Sequence, residues 1–127
     1  MNKVIVTGGA GFIGSNLVQR LIDNGVNEIL VIDDFSTGKK ENLIDSSKVS
    51  LIESKLEDID DLKNEFKGYD FCFHLAAGVG VQYIMDNLGD SLLTNIQGTH
   101  IVFEACKEHN IPVLITSTSE IYGTSKE

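Results

Sequence analysis

Two short stretches of this chain hold residues that could do chemistry. The first is TGGAGFIG at residues 7–14. Its Gly8, Gly11 and Gly14 read G-x-x-G-x-x-G, and Gly9, Gly11 and Gly14 read G-x-G-x-x-G. Between an apolar run and an amphipathic one, glycines at this spacing have three tasks: a tight turn, close approach of the backbone to a diphosphate, and close packing of helix on strand. The diphosphate would lie on the amide ends and positive dipole of a helix starting near Phe12. About 20 positions on, at the end of the next apolar run, Asp33 is placed to accept from the hydroxyls of an adenosine ribose. A carboxylate there repels a 2′-phosphate, so the dinucleotide expected is NAD and not NADP. A P-loop is excluded, because no Lys-Ser/Thr follows the glycines.

The second stretch is STSEIYG at residues 117–123, where an apolar strand runs into Thr118, Ser119, Glu120 and Tyr122. Read alone, it is equally well a hydroxyl-rich strand end capped by its own side chains. Tyr122 and Lys126 match Y-x-x-x-K. A phenol titrates near 10 and needs a cation at helical spacing to act as a base near neutrality. Tyr122 ends a strand and Gly123 follows it, so this spacing falls on a loop and not on a helix face. The pair is rejected as a catalytic couple.

The elements that must position these stretches alternate along the chain. Strands are expected at 3–7 (KVIVT), 28–33 (EILVID), 49–53 (VSLIE), 70–77 (DFCFHLAA) and 112–117 (PVLITS). Between the first two runs a helix with Ile13, Leu17 and Leu21 on one stripe, ending at Gly25. A short helix is expected in DIDDLKNEFKG, with acids in its first turn where the dipole favours them. The longest helix should span about 90–109, with Leu92, Ile96, Thr99, Val102, Phe103 and Cys106 on its buried stripe. Strands apolar throughout and alternating with helices imply an α/β fold, a doubly wound parallel sheet covered on both faces. Right-handed crossovers give the strand order 3-2-1-4-5.

Composition narrows the field. At 127 residues the chain is one domain at most, with a net charge of −9 and no basic run longer than Lys39-Lys40. A nucleic-acid partner is disfavoured, because binding phosphates needs a basic stripe. No apolar run approaches a membrane span of roughly 20 residues, and the N-terminus lacks the shape of a signal peptide, so a cytoplasmic location is expected. Cys72 and Cys106 sit among apolar neighbours and read as reduced core residues. His74, His100 and His109 share no ligand spacing with them, and no metal is expected.

With TGGAGFIG, VIDDFSTG, FHLAA, TNIQGT and STSEIYG in this order, the chain resembles the extended short-chain dehydrogenase/reductases, and within them the nucleotide-sugar epimerase/dehydratase/decarboxylase group. The resemblance runs the whole length of the chain but covers only the front part of a typical member. It implies a Rossmann fold, three-layer α/β/α, with NAD as cofactor. Gly8, Gly11, Phe12, Ile13 and Gly14 of the first motif and Asp33, Asp34, Ser36, Thr37 and Gly38 of the second would hold it, Asp33 and Asp34 at the adenosine ribose. Leu75, Ala76 and Ala77 would line the cofactor after strand four, and Asn95 would steady the active-site backbone. Two departures stand out. After strand three, Lys55 and Leu56 occupy the place of a family Asp at the adenine, and Asn87-Leu88 replaces an Asn-Pro before the long helix.

By the same resemblance Thr118 hydrogen-bonds the sugar C4 oxygen, while Ser119 and Glu120 occupy the positions that separate the chemistries. Dehydratases usually carry Asp-Glu there, which Ser119 argues against. Thr-Ser-Glu is found in UDP-glucuronate decarboxylases and in some C4-epimerases. The family's base, a Tyr with a Lys one helical turn later, is expected beyond residue 127. The chain therefore reads as a truncated NAD-binding domain over 1–127, inactive by itself, of a C4-epimerase acting on a UDP-sugar. A UDP-glucuronate decarboxylase is the same-class alternative, and a free-standing NAD(H)-binding module the alternative of another class. Apolar surface uncovered on the long helix, with Leu93 and Ile101 as candidates, and on strand five should make the chain self-associate as a homo-oligomer.

Overall fold

The computed structural model describes residues 1–77, 88–117 and Gly123, with the backbone alone at 88–94. Five strands form one parallel sheet: β1 (Lys3–Thr7), β2 (Glu28–Asp33), β3 (Val49–Glu53), β4 (Phe71–His74) and β5 (Val113–Ile115). Their order is β3-β2-β1-β4-β5, as the sequence implies. Val4 of β1 pairs with Ile29 on one side and Phe71 on the other, which fixes β1 at the centre. β4 and β5 are shorter than the runs at 70–77 and 112–117 that encode them, while β1, β2 and β3 match theirs.

Alternation along the strands feeds two cores. Val4 and Val6 of β1 and Ile29 and Val31 of β2 face α1 (Phe12–Asp23), meeting its Val18 and Leu21. Ile5 of β1, Leu30 and Ile32 of β2 and Cys72 of β4 face the opposite way, onto α2 (Leu62–Phe66) and α3 (Leu88–Glu108). Phe66, Val102 and Ala105 are fully buried there. Burying side chains the size of Phe66 and Val102 stabilises the fold by about 2 kcal/mol each. The result is a three-layer sandwich with a different helix set on each face.

Three helix assignments need correction. Ile13 is exposed, and the buried face of α1 runs through Gly14, Val18 and Leu21, with Leu17 only partly buried. On α3, Ile96 and Phe103 are exposed, while Gly98, Val102, Ala105 and Cys106 are buried. Ile101 packs against the core instead of lying off it. The cause is the small residues: Gly98, where a Cβ would lie 3.4 Å from Leu56 Cδ1, and Ala105 let α3 approach the core closely, so the stripe follows them and not the largest side chains. Leu92 and Leu93 have side chains outside the described set. The third correction is small, since α2 begins only at Leu62, capped by Asp61, whose carboxylate accepts from Asn64 N at 3.1 Å.

Cys72 and Cys106 are free and buried. They are also neighbours across the β4–α3 interface, and the proximity of Cys106 together with burial pushes the Cys72 thiol up.

Candidate functional site

The carboxyl ends of β1, β2 and β4 meet at one edge, where a parallel sheet leaves its ligand crevice. Thr7 ends β1, and the chain turns at once through Gly8, whose φ of +71° suits glycine and strains other residues. A Cβ on Gly8 would also lie 2.8 Å from Ala76 N, so the turn abuts the segment after β4. Gly14 is as constrained: a Cβ there would collide with Gly8 O and lie 2.7 Å from Gly9 Cα. This is the packing of helix on strand that the spacing calls for.

Gly11 differs from both. Its φ of −72° is ordinary, and among the described residues a Cβ there would meet only Gly8 O, at 3.4 Å. None of the described residues requires glycine at this position, and the space beside it is open to an incoming group on their side. The same residue is the N-cap of α1, with no side-chain cap and no acidic residue in the first turn. Ser15 N, bonded to Gly11 O at 2.9 Å, is the first helical amide with a carbonyl partner. The N–H groups of Phe12, Ile13 and Gly14 are left at the positive end of a 12-residue helix, a ready anion site. Phe12 and Ile13 project there 85% and 67% exposed, as apolar walls beside those amides.

Asp33 is buried at the end of β2. One carboxylate oxygen accepts from Ala10 N at 2.8 Å and the other from Phe35 N at 2.9 Å. A carboxylate has about four acceptor positions, so lone pairs remain for a ribose. The residue is thus a strut of the glycine loop as well as a candidate ribose ligand, a double role the spacing did not reveal. It also holds Phe35, a non-glycine residue at φ +55°. Asp34 is exposed and caps Ser36 N at 2.9 Å.

Ala10 ties the next loop down. Its carbonyl accepts from Lys39 N at 3.2 Å and Asn42 Nδ2 at 2.9 Å. A Cβ on Gly38 would lie 2.8 Å from Ala10 C, so Gly38 serves this close packing. Ser36 and Thr37 are exposed beside it. Asn42 was not singled out from the sequence; a polar loop gives no signal of which amide faces Ala10.

Leu56 lies in the core, 3.4 Å from the position of a Cβ on Gly98, and offers the edge little more than its rim. Lys55 is exposed beside it. Leu75 and Ala76 are partly buried, Ala77 is exposed, and Leu75 N donates to Thr7 O at 3.1 Å. Asn95 is partly buried and engaged with a partner. Thr118, Ser119, Glu120, Tyr122 and Lys126 lie outside the described residues. An open groove of about 530 Å³ flanks α1 and residues 41–44, and of the residues the sequence singled out for the site it includes Phe12.

The family model of the NAD dependent epimerase/dehydratase family matches residues 4–127. The chain belongs to that family. Among curated relatives, UDP-glucuronic acid decarboxylase 1 of Arabidopsis thaliana is 37% identical over 98% of this chain and 28% of its own length. Among solved structures, the UDP-N-acetylglucosamine 4-epimerase from Methanobrevibacter ruminantium M1, in complex with UDP-N-acetylmuramic acid, is 38% identical with a TM-score of 0.89, covering 98% of this chain and 40% of that one. WbmF of Bordetella bronchiseptica, in complex with NAD+, is 33% identical with a TM-score of 0.84 over 94% of this chain and 37% of its own. The chain therefore spans about a third of the length of the proteins it matches. Among the described residues, no group of three or more His, Cys, Asp or Glu could hold a metal ion, and no helix is long and apolar enough to cross a membrane.

Proposed function

We propose that this edge of the sheet binds NAD(H), and that the chain is the cofactor-binding part of a nucleotide-sugar 4-epimerase. The observation that carries the reading is Gly11. It caps a helix whose first amides lack intrahelical partners, and no atom of the described residues needs the space beside it. The diphosphate would lie on the amides of Phe12, Ile13 and Gly14, and the adenosine ribose against Asp33 and Asp34. Ser36, Thr37 and Gly38 would flank the ribose, and Leu75, Ala76 and Ala77 would border the rest of the dinucleotide. Lys55 and Leu56 stand nearest the adenine end, and Asn95 supports the site from α3. The negative charge of Asp33 and Asp34 disfavours a 2′-phosphate and so NADP.

Bound there, NAD would supply the hydride chemistry for oxidation and re-reduction at carbon 4 of a sugar. On the resemblance of STSEIYG, Thr118 would hydrogen-bond the C4 oxygen of a UDP-sugar, with Ser119 and Glu120 beside it. A second reading, UDP-glucuronate decarboxylation, is supported by the Thr118-Ser119-Glu120 triplet and by the similarity to relatives of that name. Product analysis separates the two. A longer protein carrying this chain would interconvert UDP-glucose and UDP-galactose on the first reading, and release CO₂ from UDP-glucuronate on the second. The 127-residue chain alone should turn over neither. Activity abolished by Tyr122→Phe would show that Tyr122 is a working base after all. The cofactor reading is tested by calorimetric titration: NAD+ should bind more tightly than NADP+, and Gly11→Val should abolish binding. Equal affinities for the two, or undiminished binding by the folded variant, would contradict it.

A further inference from the structure

A buried imidazole sits directly behind this edge. His74 ends β4 and is 2% exposed. Its Nδ1 lies 2.7 Å from Thr7 Oγ1 and its Nε2 2.9 Å from Thr99 Oγ1. Thr7 Oγ1 also accepts from Ala76 N at 3.2 Å. One side chain thus joins the residue before Gly8, the segment after β4, and α3 one turn beyond Asn95.

The proton positions follow from counting donors. Burial lowers the His74 pKa, so the ring is neutral and carries one N–H. The Thr7 hydroxyl already accepts from Ala76, and the only acceptor these contacts offer its own proton is Nδ1 of the ring. Nδ1 therefore accepts, and Nε2–H donates to Thr99. The chain runs in one direction: Ala76 N–H to Thr7 O–H to His74 Nδ1, then His74 Nε2–H to Thr99. The opposite tautomer would give Thr7 two incoming protons and leave its own buried without a partner in this chain, at a cost of about 1–3 kcal/mol.

Among the described residues, the neighbours of the ring supply no charge. Cys72 shares its face of β4, and its thiol is pushed up and stays neutral. Cys106 packs against Cys72 from α3. Ile115 is the register partner of His74 on β5. His100 is exposed on α3, and Glu104 pairs with Lys107.

We infer that His74 is a positioning residue for the cofactor, a neutral Nε2–H tautomer that sets the spacing between the glycine turn and the Leu75–Ala77 segment. The inference rests on the reading that this edge takes NAD(H). Gly8 and Ala76 are in backbone contact, so a rotated Thr7 hydroxyl releases Ala76 and widens the floor on which the dinucleotide lies. Protonating the ring has the same effect, because Nδ1–H then donates to Thr7 instead of accepting from it.

The first test uses the unaltered chain, ¹⁵N-labelled and free of ligand. Long-range imidazole correlations at neutral pH should show Nδ1 unprotonated and Nε2 protonated. Amide exchange at Ala76 should be slow, and faster in Thr7→Val. The second test is NAD+ affinity. His74→Leu should weaken binding about tenfold, the loss of roughly one hydrogen bond. His74→Asn, which keeps an acceptor for Thr7, should restore most of the affinity. Wild-type affinity should fall as pH drops through the depressed value of the buried ring, and that dependence should be absent in His74→Asn. A protonated Nδ1 in the unaltered chain, or a folded His74→Leu variant with unchanged Ala76 exchange and unchanged affinity, would overturn the inference. Should the wild-type chain fail to bind NAD+, the cofactor reading falls, while the tautomer and the Ala76 exchange still decide whether the relay exists.

Discussion

The two flanks of the sheet are built from similar sequence and end in different states. At β1 and β2, Val4, Ile5, Val6, Ile29, Val31 and Ile32 are essentially inaccessible, covered by α1 on one side and by α2 and α3 on the other. At β5, Leu114 and Ile115 are 45% and 46% exposed, although PVLITS is as apolar as KVIVT. Phe103 and Ile96 of α3 are exposed as well. An apolar strand sequence states that cover is needed, not that it is supplied. The covered flank carries the candidate cofactor site, and the open flank carries a surface that another polypeptide could cover.

The largest expected effects separate glycines within the covered flank. Gly14→Ala places a methyl against Gly8 O and Gly9 Cα and should cost about 3 kcal/mol of stability, read as a lowered denaturation midpoint. Gly11→Ala should leave the midpoint within about 0.5 kcal/mol while weakening NAD+ binding at least tenfold. If Gly14→Ala were harmless, or if Gly11→Ala destabilised the fold instead of the complex, the division between packing and approach would be wrong.

Next comes Asp33. Asp33→Ala removes the acceptor of two backbone amides, Ala10 N and Phe35 N, and should cost about 2 kcal/mol along with the preference for NAD. A variant with unchanged stability would show that those amides find water, and that Asp33 is a ligand only.

On the open flank, the self-association expected from the sequence becomes a proposal centred on different residues. Ile101 packs against the core, so the sticky surface would be Ile96 and Phe103 on α3 with Leu114 and Ile115 on β5. Light scattering at micromolar concentration should show association, and Phe103→Glu with Leu114→Glu should give a monomer of unchanged stability. A monomeric wild-type chain would show that this surface is not sticky.

The smallest effect is the pH dependence of stability. His74 has a lowered pKa in the folded chain, so in acid the unfolded state binds the extra proton first. Its contribution is fully present above the ordinary value near 6.5 and is lost as pH falls from there toward the depressed folded value. At the other extreme, burial and the hydrogen bond to Glu28 raise Tyr69 to about 12. That contribution is present below about 10 and lost as pH rises through 12. Denaturation midpoints across pH, with His74→Asn and Tyr69→Phe as controls, read both.

The sequence made the fold legible because its strands are continuous apolar runs and its turns carry glycine. Strand order and the glycine loop follow from those alone. Helix faces were less legible. Large side chains suggested Ile13, Ile96 and Phe103 for the core, whereas close approach at Gly14, Gly98 and Ala105 decides which face is buried. Within the site, Asp33 could be found by spacing, but its grip on Ala10 and Phe35 could not, nor could the contact of His74 with Thr7 across 67 residues. Such contacts depend on register between distant strands, which no local pattern encodes.

The central claim is that the N-terminus of α1, opened by Gly11, receives the diphosphate of NAD. Calorimetric titration of the wild-type chain and of Gly11→Ala with NAD+ and NADP+, each with the denaturation midpoint measured alongside, tests it most directly. The account predicts NAD+ binding preferred over NADP+ in the wild type, and at least tenfold weaker NAD+ binding in a Gly11→Ala variant of unaltered stability. Equal affinity of the two proteins for NAD+, or no binding by the folded wild-type chain, would contradict it.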